Sequence, residues 1–390
     1  MGCGPWHSPG VSPTPDSLTT GATPHSPVGE TAAAPGRAGA AVRTAPASGT
    51  LAARMAEVED VLPDTASAFD RAHRLAAHFE TLLTAGSVQR NGAVYSPRYI
   101  ADRVMRDAYE LWRADSGEEK SGQREAPVLG GVPKVCDPAC GSGVFLVAAV
   151  EFLAVEFRVS VVNAVSGALR GLDVSPEAVA FSRQTLAALL LWSGVDAPLA
   201  TALASEVVLE ADALLEPLVE LQSKLFGEGG PDLLVGNPPY IKLQNVPAAS
   251  RSALIERFPV YASGSFSLSM LFVVRGLELA GAGVCGFITQ NNLFTSLAAR
   301  PIREELAQSG ALLRIVDFNH RRVFAGASAY TCLLFVGGGG ASEVEYAAVH
   351  DDDVQRGLAS LEYSRIGHAD LGAPKWRLGA RVDLDNVRRI

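Results

Sequence analysis

The stretch Asp232-Leu-Leu-Val-Gly-Asn-Pro-Pro-Tyr240 carries the most specific chemistry in the chain. Residues 233–235 are an apolar run that reads as a buried strand, stopped abruptly by Gly236 and two prolines. Neither proline donates a backbone hydrogen bond, and each holds φ near one value. Asn237, Pro238, Pro239 and Tyr240 therefore form a stiff ledge at a strand's C-terminal end, where open α/β sheets receive their ligands. The ledge offers the Asn237 side-chain oxygen and the Pro238 carbonyl as neighbouring acceptors, with the Tyr240 ring beside them. Two acceptors and an aromatic face suit a planar ring bearing an exocyclic –NH2 group.

The elements that would position this ledge repeat one pattern. A short strand at residues 132–136 leads into Asp137-Pro-Ala-Cys-Gly-Ser-Gly143, followed by the helix-spaced Val144, Phe145, Val147 and Ala148. Small residues let the backbone approach a ligand, and the helix start supplies free N–H groups. The Gly-Lys-Ser/Thr ending of a phosphate-binding loop is missing. A second strand, residues 169–172, ends at Asp173, and Ser175-Pro176 then starts a helix with a cap and a proline at its first position. An acid at that strand end binds ribose hydroxyls in such folds. A third strand, residues 207–209, runs to Asp212. With Asn237, the series places polar groups along one edge of a sheet. Further strands are expected at residues 284–288, 312–318, 331–336 and 344–349, and helices at 248–258 and 266–279. The fold class is α/β, with helices on both faces. Upstream, Gly92-Ala-Val-Tyr-Ser-Pro97 precedes another helix, with Ser96 as its expected cap and Pro97 at its first position.

With 390 residues, 48% apolar and 19% charged, the chain has ordinary globular composition and ample core. Its net charge of −9 opposes phosphate binding, although Arg300, Arg303, Arg314, His320, Arg321 and Arg322 make a local basic patch. Cys3, Cys136, Cys140, Cys285 and Cys332 form no CxxC pair and mostly sit in apolar runs, which reads as reduced thiols in a cytoplasmic protein with no structural metal. The apolar stretches 144–165 and 266–288 contain Glu151, Glu156, Arg158, Arg275 and Glu278, so core helices and strands are expected rather than membrane spans. Residues 1–54, rich in Pro, Gly, Ser, Thr and Ala, are expected to be disordered. Residues 55–131 read as a helical N-terminal part, with helical apolar spacing over about 55–83. Residues 132–340 read as the catalytic domain and 341–390 as a C-terminal extension.

The order of these motifs resembles the TaqI-like group of adenine-N6 DNA methyltransferases, the gamma arrangement of restriction–modification systems, over roughly residues 90–340. The resemblance implies a class I S-adenosylmethionine-dependent methyltransferase fold, with a Rossmann-like sheet. It implies that Tyr95, Ser96 and Pro97 fold over the methionine part of S-adenosylmethionine. Asp137, Pro138, Ala139, Gly141, Gly143 and Phe145 would make the cofactor loop, Asp173 would take the ribose, and Asp212 would lie at the cofactor adenine. Asn237, Pro238, Pro239 and Tyr240 match the family's catalytic motif without substitution. Phe324, in Val323-Phe324, would pack on a flipped target base. The implied partner is DNA. The family usually continues into a sizeable target-recognition domain, whereas here residues 341–390 resemble only the start of one. A separate specificity subunit or a further C-terminal domain is therefore expected. Two alternatives stand beside this reading. Asn-Pro-Pro-Tyr also serves methylation of protein glutamine or RNA amino groups, and the chain could be a non-catalytic cofactor-binding subunit of a defence complex.

Overall fold

Strands that are apolar on both sides must be covered twice, and the sheet obeys that constraint. The computed structural model describes residues 50–86, 96–115, 131–227, 230–262, 264, 266–319, 321, 330–371, 375–376 and 378. Its strands are β1 (Val135–Asp137), β2 (Leu169–Asp173), β3 (Val208–Glu210), β4 (Leu233–Gly236), β5 (Val284–Gln290), β6 (Leu312–Asp317), β7 (Thr331–Gly337), β8 (Glu343–Ala348) and β9 (Ser364–Gly367). They form one sheet in the order β3-β2-β1-β4-β5-β7-β6-β8-β9. Strands β1 to β5 are mutually parallel, and β7 inserts antiparallel between β5 and β6. The chain winds outward from β1 through β2 to β3, then restarts on the other side at β4. The β1/β4 pair, with Val135 opposite Leu233 and Cys136 opposite Leu234, is thus the switch point where a ligand crevice opens.

The helices are α1 (Leu51–Val61), α2 (Ala68–Gly86), α3 (Arg98–Asp115), α4 (Val144–Glu156), α5 (Val161–Ala168), α6 (Pro176–Trp192), α7 (Ala197–Val207), α8 (Leu218–Leu225), α9 (Ala248–Arg257), α10 (Leu268–Ala280), α11 (Arg300–Ser309) and α12 (Asp351–Gln355). Alternate strand residues face opposite cores. Val135, Leu233, Val235 and Val284 pack with residues of α3, α4 and α5. Cys136, Leu234, Cys285 and Phe287 pack with α8, α10 and α11. Burial on both faces is why these strands read as continuous apolar runs rather than alternating ones. Cys136, Cys140, Cys285 and Cys332 are buried free thiols. Among the described residues no helix is long and apolar enough to cross a membrane.

Three expectations are corrected. The helical stretch 55–83 is two helices, α1 and α2, because Pro63 cannot continue the first. The first helix already starts at Leu51, where Ala53 N donates to the Thr50 hydroxyl at 3.3 Å. Residues 51–54, assigned to the N-terminal disordered segment, are therefore helical, and Arg54 is buried with its guanidinium 4.9 Å from the Phe79 ring centre. Residues 1–49 lie outside the described residues. The boundary at 340 falls inside the sheet, since β8 pairs with β6 and β9 with β8.

The basic patch also has a structural explanation. Arg303 is buried and donates to the Leu293 and Ser296 carbonyls at 2.6 and 2.8 Å. Arg314 is buried between Asp107 at 3.1 Å and Glu345 at 2.6 Å. Arg321 pairs with Asp351 at 2.6 Å and Arg300 with Glu304 at 2.7 Å. His320 and Arg322 lie outside the described residues. On α3, Arg103 joins Asp107 at 2.8 Å, the Leu358 carbonyl at 2.6 Å and the Tyr363 hydroxyl at 2.5 Å. The added strands and the segment between them are thereby locked onto α3.

Asp107 is the shared counter-charge of two buried arginines. Asp107→Ala should destabilise the fold by about 3–5 kcal/mol, because both cations stay behind without it. Arg300→Ala, which breaks an exposed pair, should cost under about 1 kcal/mol. Urea unfolding of the two variants measures the difference, and equal costs would contradict the role given to Asp107.

Candidate active site

The C-terminal ends of β1, β2 and β4 and the chain after β3 border a cavity of about 470 Å³, within the range of small-molecule sites. The loop after β1 is held from three sides. Cys140 N donates to the Leu172 carbonyl at 2.8 Å, and Gly141 N to Asp173 Oδ2 at 2.9 Å. From α6, the Ser182 and Thr185 hydroxyls donate to the Gly141 and Ser142 carbonyls at 2.9 and 2.8 Å. Gly141 and Gly143 take φ of 56° and 93°, the left-handed region that glycine enters without a Cβ penalty. Phe145, in the first turn of α4, is buried and lines the cavity with Pro138 and Ala139.

Each expected acid has a definite seat. Asp137 is 2% exposed, and its Oδ1 accepts the Ala139 N–H at 3.0 Å. A Cβ on Gly236 would stand 2.5 Å from that oxygen, so β4 needs a glycine where the carboxylate passes beneath it. Asp173 accepts Ser175 N and Gly141 N, both at 2.9 Å, one on each oxygen. Asp212 Oδ1 accepts the Leu214 and Leu215 N–H groups at 3.0 Å each while lining the cavity.

Glu80, on α2, is a cavity residue that the motif reading missed. It is buried, and its Oε2 lies 3.6 Å from where a Gly141 Cβ would be. The signal was present in the helical spacing: Ala72, Ala76 and Leu83 share its face of α2, so an acid sits in an apolar stripe. Burial raises the Asp137 carboxyl far above the usual range; the Ala139 N–H opposes this, and the Asp173 and Glu80 charges add to it. Burial also raises Asp173, against the Ser175 and Gly141 N–H groups. Glu80 is raised by burial and by the Asp173 charge, with Ser142 hydrogen bonding in opposition. Glu177 and Asp212 complete the acidic lining, and no lysine, arginine or histidine lines the cavity among the described residues.

The ledge meets this cavity through Asn237 and Pro239. The Asn237 amide is gripped at both ends: its Nδ2 donates to the Ser96 hydroxyl at 3.0 Å, and the Tyr240 hydroxyl donates to its Oδ1 at 2.7 Å. Tyr240 packs against the sheet core, and burial pushes its phenol far up, which keeps the hydroxyl a donor. Ser96 does not cap a helix that starts beside it. The helix starts at Arg98, and the serine hydroxyl serves the asparagine instead. Arg98 anchors this junction by pairing with Asp70 of α2 at 2.6 Å and Glu151 of α4 at 2.5 Å. Of the expected site residues, Pro97, Gly143, Pro238 and Tyr240 stand beside the cavity rather than in its lining. Tyr95 and Phe324 lie outside the described residues.

A doubly wound sheet with a glycine loop after β1, acids after β2 and β3 and an Asn-Pro-Pro-Tyr ledge after β4 is the fold of class I S-adenosylmethionine-dependent methyltransferases. Residues 168–324 match the family model of the Eco57I restriction-modification methylases. Over 334 residues the chain is 24% identical to the type II methyltransferase M.PaeR7I of Pseudomonas aeruginosa, covering 80% of this chain and 54% of that protein. Its fold is similar to DrdV in the DrdV–DNA complex, with a TM-score of 0.58 at 14% identity over 82% of this chain and 35% of that one. It is also similar to a type I restriction-modification methyltransferase subunit from Streptococcus thermophilus, with a TM-score of 0.50 at 17% identity over 77% and 59% of the two chains. The matched family model and these relatives are restriction–modification proteins, and none of them singles out the TaqI-like branch. It spans little more than half the length of the Pseudomonas relative.

The raised carboxyls set a pH dependence. Between the ordinary carboxylate value, about 4, and their folded values, the native chain holds protons that the unfolded chain has released. Stability of the ligand-free protein should therefore fall as pH rises through that window. Asp137→Asn removes one such proton and should make the fall shallower, as read from denaturant midpoints across pH. An unchanged slope would place the retained protons elsewhere.

Proposed function

We propose that this chain is the catalytic part of a restriction–modification DNA methyltransferase, which moves a methyl group from S-adenosylmethionine to the N6 amino group of adenine. The observation that carries the reading is the Asn237 amide, fixed in orientation by Ser96 and Tyr240 at the rim of an acid-lined cavity. The acidic lining fits a cofactor bearing positive charge, and Asp173 and Asp212, both in that lining, are the residues we assign to its ribose and adenine. When bound, S-adenosylmethionine supplies an electrophilic methyl group on a sulfonium.

The chain's own residues act on the acceptor. An adenine amino nitrogen is a poor nucleophile because its lone pair is delocalised into the ring. Asn237 Oδ1 has two lone pairs, so it can accept an amine N–H as well as the Tyr240 hydroxyl. The Pro238 carbonyl is the second acceptor. Holding both N–H groups directs the lone pair toward the methyl group and stabilises the cationic amine formed in transfer. No side-chain base is required. In duplex DNA the amino group is out of reach, so the base must leave the stack. Phe324 is retained as the residue that packs on it.

Arg303, Arg314 and Arg321 are engaged within the fold, which takes them out of the phosphate-binding surface. We infer that sequence selectivity comes from a specificity subunit or a target-recognition domain outside this chain. The 390-residue chain alone should bind DNA weakly, with salt sensitivity and little selectivity. Methylation of a plasmid library by the purified chain tests this, and robust modification confined to one short sequence would overturn it.

Asn237→Ala should lower turnover by about 100- to 1000-fold, the usual effect of losing one preorganised polar group. Cofactor affinity should stay within about threefold, since Asn237 meets the acceptor. Methyl transfer is measured on DNA, RNA and a protein glutamine substrate side by side. Activity confined to RNA or protein would sink the DNA reading, and lost cofactor binding would reassign Asn237.

A further inference from the structure

Helices α2, α3 and α4 pack into the same core, and where they meet they bring a histidine and two carboxylates together. His73 of α2, Asp102 of α3 and Glu151 of α4 each offer a metal-ligating atom, and these atoms all lie within 4.8 Å of one another. His73 is 8% exposed, and its Nε2 stands 3.1 Å from Glu151 Oε2. Asp102 is held more loosely, with Oδ2 3.7 Å from Arg98 Nε, and its partly exposed side chain leaves a way in from solvent. Arg98 also holds Glu151 Oε1 at 2.5 Å and Asp70 at 2.6 Å, so one guanidinium serves three carboxylates. Arg106 acts on Asp102 as well. With a neutral imidazole, the cluster stays acidic despite both arginines. Zinc bonds to nitrogen and oxygen of about 2.0–2.2 Å set tetrahedral ligands roughly 3.3–3.6 Å apart. The His73–Glu151 separation is already close to that, and a modest turn of the Asp102 side chain would complete the set. Glu151 would keep Arg98 on its other oxygen, the kind of hydrogen bond that orients a ligating carboxylate.

We propose that His73, Asp102 and Glu151 bind one divalent transition-metal ion, of which zinc is the type, with water completing its shell. An imidazole nitrogen beside two carboxylate oxygens suits such an ion, whereas calcium and magnesium take oxygen ligands. A plain His73–Glu151 hydrogen bond would explain those two residues, but not why Asp102 brings a second carboxylate to them. None of the three ligands lines the cavity, so the ion takes no part in methyl transfer. Its role is structural: it clamps α2 to α3 and α4, next to the arginine that anchors the entry to α3 beside Ser96. It is a structural metal that the spacing of the cysteines does not announce. The assignment does not depend on what the cavity binds.

Calorimetry with zinc on the full chain, first stripped with a chelator, tests this. One ion should bind per chain, and saturation should raise the melting temperature, as any ligand of the native state does. His73→Gln and Asp102→Asn should each weaken zinc by about tenfold or more, since even partners outside the ligand shell cost that much. Asp102→Asn keeps the shape of a partly exposed side chain, and a metal-free melting temperature like the wild type's shows that it is folded. Cobalt in place of zinc should give visible absorption without the near-ultraviolet band of a thiolate ligand. A wild-type chain that binds no zinc would overturn the assignment, as would an unchanged zinc affinity in either variant. A thiolate band would place the ion on the cysteines and overturn it as well.

Discussion

A carboxyl group with no basic neighbour among the described residues lies beneath β4, and much of the cavity is arranged around it. Asp137 is almost fully buried at the end of β1, with a single N–H from Ala139 on Oδ1. Its closeness to β4 demands a glycine at 236, directly before the asparagine of the ledge. The same carboxyl shares its surroundings with Asp173 and Glu80, whose charges raise its proton affinity, and Asp173 raises that of Glu80 in turn. Desolvation makes such a group costly unless it is neutral or paired. A cavity built this way is unfavourable when empty and charged, and it favours a cationic occupant.

The second constraint is mechanical. Asn237 is useful to an amine only if its oxygen, not its nitrogen, points at the substrate. Ser96 and Tyr240 enforce that orientation from opposite ends of the amide. Ser96 in turn sits next to Arg98, which ties α3 to α2 and α4 through Asp70 and Glu151. Helices α2, α3 and α4 are thus linked to the asparagine of the ledge. Binding and orientation share one set of contacts.

The far side of the sheet shows why charge by itself misleads. Arg303, Arg314 and Arg321 look like a nucleic-acid surface in the sequence, yet they tie α11 to the chain after β5, β6 to β8, and the chain after β6 to α12. Asp351 and Asp353 are similarly engaged, the first with Arg321 and the second in the box that caps α12. A chain with net charge −9 can therefore keep arginines for its own packing and leave recognition of phosphates to other surfaces.

What the sequence determined by itself were the features encoded in a few consecutive residues. The Asp137–Gly143 loop, the acids ending β2 and β3, the two prolines behind Asn237 and the two-sided apolar strands depend on local turn chemistry and on burial, and each was legible without a fold. Strand ends moved by only a few residues, as at β3, where the expected 207–209 is Val208–Glu210. Only the tertiary structure decided which distant groups meet. Ser96 reaches Asn237 across 141 positions, Arg103 reaches the Tyr363 hydroxyl across 260, and Glu80 arrives over Gly141 from a separate helix. Helical periodicity says which face of α2 is buried, but not that a cavity lies beneath it. That pairing is set by how the helices pack on the sheet, a sum of many weak apolar contacts with no signature in any short stretch of chain.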